Sequence, residues 1–185
     1  KEVIKKSTFT YVRQKQMLGL GHAILTGKPL IGNEPFAVIL ADDLCDCNEK
    51  SVISQMIEIY SQHQCSVVAI EEVPMSQTHK YGVIAGKLVK NSINTYQVSD
   101  MVEKPKEKDA PSNMAIIGRY ILTPDIFDIL ENIKPDKSGE IQITDALNIQ
   151  AKQGKVVAYK FKGKRFDCGN IKGYLEANNY FAKNL

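Results

Sequence analysis

Little in this sequence suits a partner that is long, highly charged or lipid. Lys and Arg together number 24 against 21 for Asp and Glu, a net charge of +3. So small an excess, with the basic residues scattered, excludes the clustered basic face that a nucleic-acid binder needs. Any anionic ligand should be small and locally held. No apolar run approaches the ~20 residues that cross a bilayer, so no membrane helix is expected. The opening Lys1-Glu2-Val3-Ile4-Lys5-Lys6 has no h-region and does not read as a signal peptide. It has no initiator Met and reads as the end of a strand or helix, as in a chain cut from something longer. Histidine is scarce: His22, His63 and His79 stand isolated, share no triad spacing and fit surface or capping roles. Cysteine is scarce too. Of Cys45, Cys47, Cys65 and Cys168, the Cys45-x-Cys47 pair is too tight for a C-x₂-C zinc knuckle, and no His follows at ligand spacing. The four read as reduced structural thiols of a cytoplasmic protein.

What is present is the balance of one soluble globular domain over residues 1–185, with 43% hydrophobic and 24% charged residues. Short β-rich runs alternate with helical patterns, which predicts an α/β sheet. Phe9 to Val12, Phe36 to Leu40, Cys65 to Val73, Ala115 to Leu122 and Val156 to Phe161 read as strands. The run from Phe36 is continuously apolar, as in a central strand buried on both faces. Gly82 to Val89 and Tyr96 to Val102 read as a hairpin around Lys90-Asn91-Ser92. Helices are expected to open at Gly21 and to run over Glu49 to His63, Pro124 to Ile133 with Thr123 as N-cap, Glu140 to Gln153, and Ile171 to Lys183. On the second of these, Val52, Ile53, Met56, Ile57 and Tyr60 share a face.

Four constellations carry chemistry. Asp42-Asp43 ends the apolar run, where open α/β sheets bind ligands, and a carboxylate there suits Mg²⁺ or, equally, a turn or cap ahead of the Glu49 helix. In Gln14-x₄-Gly19-Leu20-Gly21-His22-Ala23, an amide that both donates and accepts precedes two glycines and a helix start, which suits a flat base or a plain strand-loop-helix turn. Tyr81-Gly82-Val83 and Val102-Glu103-Lys104-Pro105 offer a carboxylate for hydroxyls and a point charge for a phosphate. Pro105 should hold Lys104 extended and end the ladder, so that both side chains reach one site. The alternative is a surface ion pair in a lysine-rich stretch. Finally, Asp167 in Phe166-Asp167-Cys168-Gly169-Asn170 is a second metal ligand or a turn residue. Lys160, Lys162, Lys164 and Arg165 nearby screen phosphates or solvate an exposed strand.

These motifs, together with Pro111-Ser112-Asn113-x-Ala115-Ile116-x-Gly118-Arg119-Tyr120 and Gly139-Glu140-Ile141-Gln142-Ile143-Thr144-Asp145, occur in an order that resembles bacterial UTP–glucose-1-phosphate uridylyltransferases from about Phe9 onward. The resemblance implies a Rossmann-like nucleotidyltransferase (nucleotide-diphospho-sugar transferase) fold, a mixed central sheet flanked by helices. It implies formation of UDP-glucose and pyrophosphate from UTP and glucose 1-phosphate. By the same resemblance Gln14 and Gly19 would read uracil, Asp42 would bind Mg²⁺ with Asp167 as a second ligand, and Asp43, Gly82, Glu103, Asn113 and Ile116 would hold glucose. Lys104 would hold the sugar phosphate, and with Asp42 would form the catalytic pair. A homo-oligomer is compatible with the resemblance and is not specified by it. The family's glycine-rich G-x-G-T-R loop and its downstream Pro-Lys segment, which serve the triphosphate, have no counterpart in residues 1–185. These residues alone are therefore expected to turn over little, which leaves an inactive nucleotide-sugar-binding module as the alternative. A thymidylyl- or adenylyltransferase of the same fold is a further one.

Overall fold

Which strands lie in the middle of the sheet follows from where apolar residues are buried on both faces. The computed structural model describes residues 5–47 and 49–183; the reading of Lys1 to Ile4 as an element end lies outside them. The strands are β1 (Phe36–Ile39), β2 (Asp43–Asp46), β3 (Ser66–Glu72), β4 (Gly82–Leu88), β5 (Thr95–Glu103), β6 (Met114–Leu122), β7 (Val156–Lys160) and β8 (Lys164–Asp167). The helices are α1 (Gly19–Thr26), α2 (Lys28–Ile31), α3 (Val52–His63), α4 (Ile126–Asn132), α5 (Ile143–Lys152) and α6 (Ile171–Ala182).

Along β3, Val68 and Ile70 enter one core while Val67 and Ala69 enter the other. On β6 the same alternation splits Ile116, Tyr120 and Leu122 from Ile117 and Ile121. Side chains of a strand point alternately to opposite faces, so a strand covered on both sides is apolar at most of its positions. Helices α1, α4 and α5 supply the first core and α3 the second. The sheet order is β1-β6-β3-β7-β5-β4, with β4 also meeting β6 at Val83 and Ala115. Among the described strands only β3 and β7 pair parallel, so the sheet is mixed, as expected. A separate ribbon pairs β2 with β8.

Several expectations change. Among the described strands, the run from Phe36 lies at an edge of the sheet. It pairs with β6, packs Phe36 and Val38 on the core, and leaves Ile39 56% exposed. Apolar composition alone does not distinguish an edge strand from a central one. Phe9 to Val12 forms no strand and has no partner strand among the described residues, and Tyr11 is 92% exposed. Helix α3 starts at Val52 and is capped by Ser51, whose hydroxyl accepts from the Ser54 N–H at 3.2 Å. Its buried face carries Val52, Gln55 and Met56, while Ile57 is exposed. Thr123 does not cap α4 through its side chain, because that hydroxyl bonds Ser66 and accepts from Gln150. Helix α5 begins at Ile143, not Glu140, because Glu140 and Gln142 are tied to the Asp136 carboxylate. Lys104 is not extended: its φ is +44°, a left-handed conformation that costs about 1–2 kcal/mol in a residue with a Cβ.

Candidate active site

A cavity of about 390 Å³ opens where β4 begins, where β5 and β8 end, and where the turn after β1 enters β2. It gathers seven of the ten residues singled out from the sequence: Asp42, Asp43 and Asp167 on one side, Gly82, Glu103 and Lys104 on the other, with Ile116 among the lining residues. Gln14, Gly19 and Asn113 are not among them.

The carboxylate side is built by the β2–β8 ribbon, which sets Asp43 opposite Asp167. Asp42 leaves α3 to its Ser51 cap and lines the cavity instead. A Cβ on Gly169 would lie 3.2 Å from Asp42 Oδ2 and 3.1 Å from Asp167 Oδ1. The Asp42 and Asp167 carboxylates thus both stand beside the Cα of Gly169, where an added Cβ would crowd them. Asp167 is oriented by the Gly169 N–H at 3.1 Å and the Tyr81 hydroxyl at 3.3 Å. Mg²⁺ commonly takes one or two carboxylates and fills its remaining positions with water and substrate phosphate, so this pair fits it. Among the described residues no three His, Cys, Asp or Glu side chains form a cage that would hold a cation by themselves.

Asp43 is built differently. It is 5% exposed, and both its oxygens are engaged: Arg165 Nε donates to Oδ1 at 2.5 Å and the Gly118 N–H to Oδ2 at 2.7 Å. Arg119 donates to the Leu40, Gly118 and Asp43 carbonyls, locking the turn from behind. Arg165 also approaches Glu71 at 3.4 Å and Asp167 at 3.8 Å, with its guanidinium 5.2 Å from the Tyr81 ring centroid. Burial alone would lower its pKa, but Tyr81 and Asp43 outweigh that and raise it. The sequence reading of Arg165 as a phosphate screen or solvating residue is therefore corrected: it is a buried hub. On the other face of β8, Lys164 lies over the Phe166 and Tyr180 rings.

On the opposite side Glu103 pairs across the ladder with Gly82, and Thr144 Oγ1 donates to Glu103 Oε2 at 2.6 Å. Lys104 Nζ stands 3.7 Å from Glu103 Oε1. The positive φ of Lys104 breaks the strand alternation that would otherwise send neighbouring side chains to opposite faces. Lys and Glu do share one site, by a route other than the one expected.

At the rim, the Gln14 amide donates to the Gly19 carbonyl at 3.1 Å and lies 2.9 Å from His22 Nδ1. His22 thus contacts the candidate base reader. Gly19 has φ +87°, and a Cβ on Gly21 would lie 2.6 Å from the Ile141 carbonyl, so glycine is required at both positions. The Gly21 N–H to Ile141 O bond at 2.9 Å and the Ile141 N–H to Leu18 O bond at 2.8 Å clamp this loop to the cavity wall. Asn113 contributes its carbonyl to the Val73 N–H at 3.0 Å, joining β3 to the entry of β6. The four cysteines carry free thiols; burial pushes Cys45 up to about 11, with Arg119 opposing.

The nucleotidyl transferase family matches residues 2–184. A UTP–glucose-1-phosphate uridylyltransferase of Pseudomonas aeruginosa is 61% identical over 186 residues, covering 100% of this chain and 66% of its own length. One from Staphylococcus epidermidis is 46% identical over 172 residues, covering 93% and 59%. The chain thus spans between 59% and 66% of the length of these curated relatives. A crystal structure of a UDP-glucose pyrophosphorylase complexed with UDP-glucose superposes with a TM-score of 0.95 at 60% identity, covering 100% of this chain and 69% of that one. The UTP-bound enzyme from Acinetobacter baumannii superposes with a TM-score of 0.81 at 38% identity, covering 92% and 58%. By sequence over its length and by fold, the chain belongs to the nucleotidyl transferase family, in the group of the UTP–glucose-1-phosphate uridylyltransferases.

Proposed function

We propose that the protein forms UDP-glucose and pyrophosphate from UTP and glucose 1-phosphate, with residues 1–185 supplying base-, sugar- and metal-binding groups. The observation that carries this reading is one cavity lined by the Asp42 and Asp167 carboxylates together with the Glu103–Lys104 pair. An oxygen of the sugar phosphate attacks the α-phosphorus of UTP, and the bond to the bridging oxygen of pyrophosphate breaks. Such transfer needs alignment and charge neutralisation more than covalent help. Mg²⁺ held by Asp42 and Asp167 would neutralise phosphate charge there. Lys104, a compact point charge, holds the phosphate of the incoming sugar. Glu103 accepts from sugar hydroxyls, and Asp43 has lone pairs left for the same task beyond its two protein bonds. Gly82 and Ile116 shape the floor, and Asn113 supports it through the backbone. Gln14 and the Gly19 backbone meet uracil at the rim. A nucleoside triphosphate substrate and four free thiols suit the cytoplasm.

The test is pyrophosphate release by the full-length protein with Mg²⁺, glucose 1-phosphate and each nucleoside triphosphate in turn. UTP should be preferred. Preference for dTTP or ATP, or tight UDP-glucose binding without turnover, would replace this reading with the thymidylyl, adenylyl or inactive-module alternative.

A further inference from the structure

The hydroxyl of Thr144 is not spent as a helix-initiating threonine's usually is. Helix α5 starts at Ile143 with no side-chain cap, and Thr144, 4% exposed, points its hydroxyl across to the end of β5. There it donates to Glu103 Oε2 at 2.6 Å, a charge-assisted bond of the short, strong kind. The bond lies directly on the bare Cα of Gly82: a Cβ added there would stand 2.8 Å from Thr144 Oγ1 and 3.2 Å from Glu103 Oε2. Ile116 Cδ1 closes the same space at 3.2 Å. The two oxygens of Glu103 therefore have different neighbours. Oε2 is held by Thr144, whereas Oε1 stands 3.7 Å from the half-exposed ammonium of Lys104.

We propose that Thr144 is a positioning residue for sugar recognition, fixing Glu103 so that Oε1 alone is presented to a hydroxyl of the sugar phosphate. The proposal rests on the sugar-binding reading above and adds a residue to it. A free glutamate side chain has several rotamers to lose on binding, and a ligand then meets it at reduced affinity. Thr144 removes that loss beforehand. Gly82 is part of the device, since only a residue without a Cβ lets the hydroxyl and the carboxylate meet over the strand.

The experiment compares Thr144→Val, which keeps the shape and removes the donor, with Thr144→Ser, which keeps the donor. Both are measured in the full-length protein. Thr144→Val should raise KM for glucose 1-phosphate roughly three- to tenfold, the range for one side chain no longer held before binding. KM for UTP and kcat at saturation should stay near wild type, and the melting temperature should fall by only a few degrees, for the loss of one hydrogen bond. Thr144→Ser should restore the low KM, and on a Glu103→Gln background Thr144→Val should cost much less. A melting temperature lowered in step with both KM values would make Thr144 structural and overturn the proposal, as would an unchanged KM for the sugar phosphate. A wild-type protein without turnover would refute the proposed reaction instead. Calorimetry with UDP-glucose then decides on Thr144, with equal affinity of wild type and Thr144→Val overturning it.

Discussion

Replacing Arg165 by Met should be among the most damaging single changes to this protein's stability, and its cost can be worked from its partners. The Arg165 side chain is 7% exposed and its closest partner, the Asp43 carboxylate, is also 7% exposed. Glu71 and Asp167 are 39% and 33% exposed, so water can take over much of what they lose. Pairs of that exposure contribute at most about 1 kcal/mol. Asp43 has no such refuge: with the guanidinium gone, one N–H from Gly118 faces a buried negative charge. Leaving one partner of a buried pair uncompensated costs about 3–5 kcal/mol. In a protein of this size each kcal/mol lowers the melting temperature by about 2–4 °C, so a fall of roughly 6–20 °C is expected. Urea unfolding should show a lower midpoint at unchanged slope. Adding Asp43→Asn removes the stranded charge and should restore a large part of the loss, whereas two independent sites would simply add. A single variant within about 1 kcal/mol of wild type, or strict additivity in the double variant, would refute the description of Arg165 as the hub of the ribbon.

Three further outcomes are expected. Lys104→Ala should weaken UDP-glucose binding by calorimetry well beyond Lys106→Ala, and Lys104→Arg should also be impaired because a planar fork replaces a compact charge; equal losses at the two lysines would make Lys104 a surface charge. Asp42→Asn should raise the Mg²⁺ concentration for half-maximal activity about tenfold or more, with the melting temperature little changed because Asp42 is exposed; an unaltered Mg²⁺ titration would remove Asp42 from the metal site. Burial raises the Cys45 pKa to about 11, so its thiolate fraction, and its alkylation rate by mass spectrometry, should climb about tenfold per pH unit from 8 to 10; a plateau near pH 9 would contradict that burial.

What the sequence made legible were patterns that a residue and its chain neighbours define. Val67 to Ile70 is apolar at every step, Ala115 to Leu122 is apolar but for Gly118 and Arg119, and both lie inside the sheet. Asp42 directly follows such a run and lies at a cavity. The run from Phe36 looks the same by composition and lies at an edge, because what covers a strand is a property of other segments. Phe9 to Val12 has strand chemistry and no partner to pair with among the described residues. Arg165 sits in a basic stretch, and nothing local says that its partner is Asp43, across the ribbon. The role of Lys104 was sought in proline's restriction of its neighbour, yet the chain accepts left-handed strain there to turn the side chain into the cavity. Thr144 has no role that its sequence neighbours reveal, since its partner Glu103 is remote in sequence.

The place of β7 has a consequence for how the chain acquires its structure. Ser66 pairs with Val156 and Thr95 with Tyr159, so a late segment lies between strands laid down much earlier. Until it arrives, β3 and β5 hold unsatisfied amide rows facing a gap of one strand's width. The central pairing is therefore of high contact order, and such topologies close slowly because loop entropy is lost before the contacts form. During synthesis at about 5–20 residues per second, the earlier strands wait several seconds for their middle member. In that interval the unpaired edges are a template on which a strand of a neighbouring chain can pair.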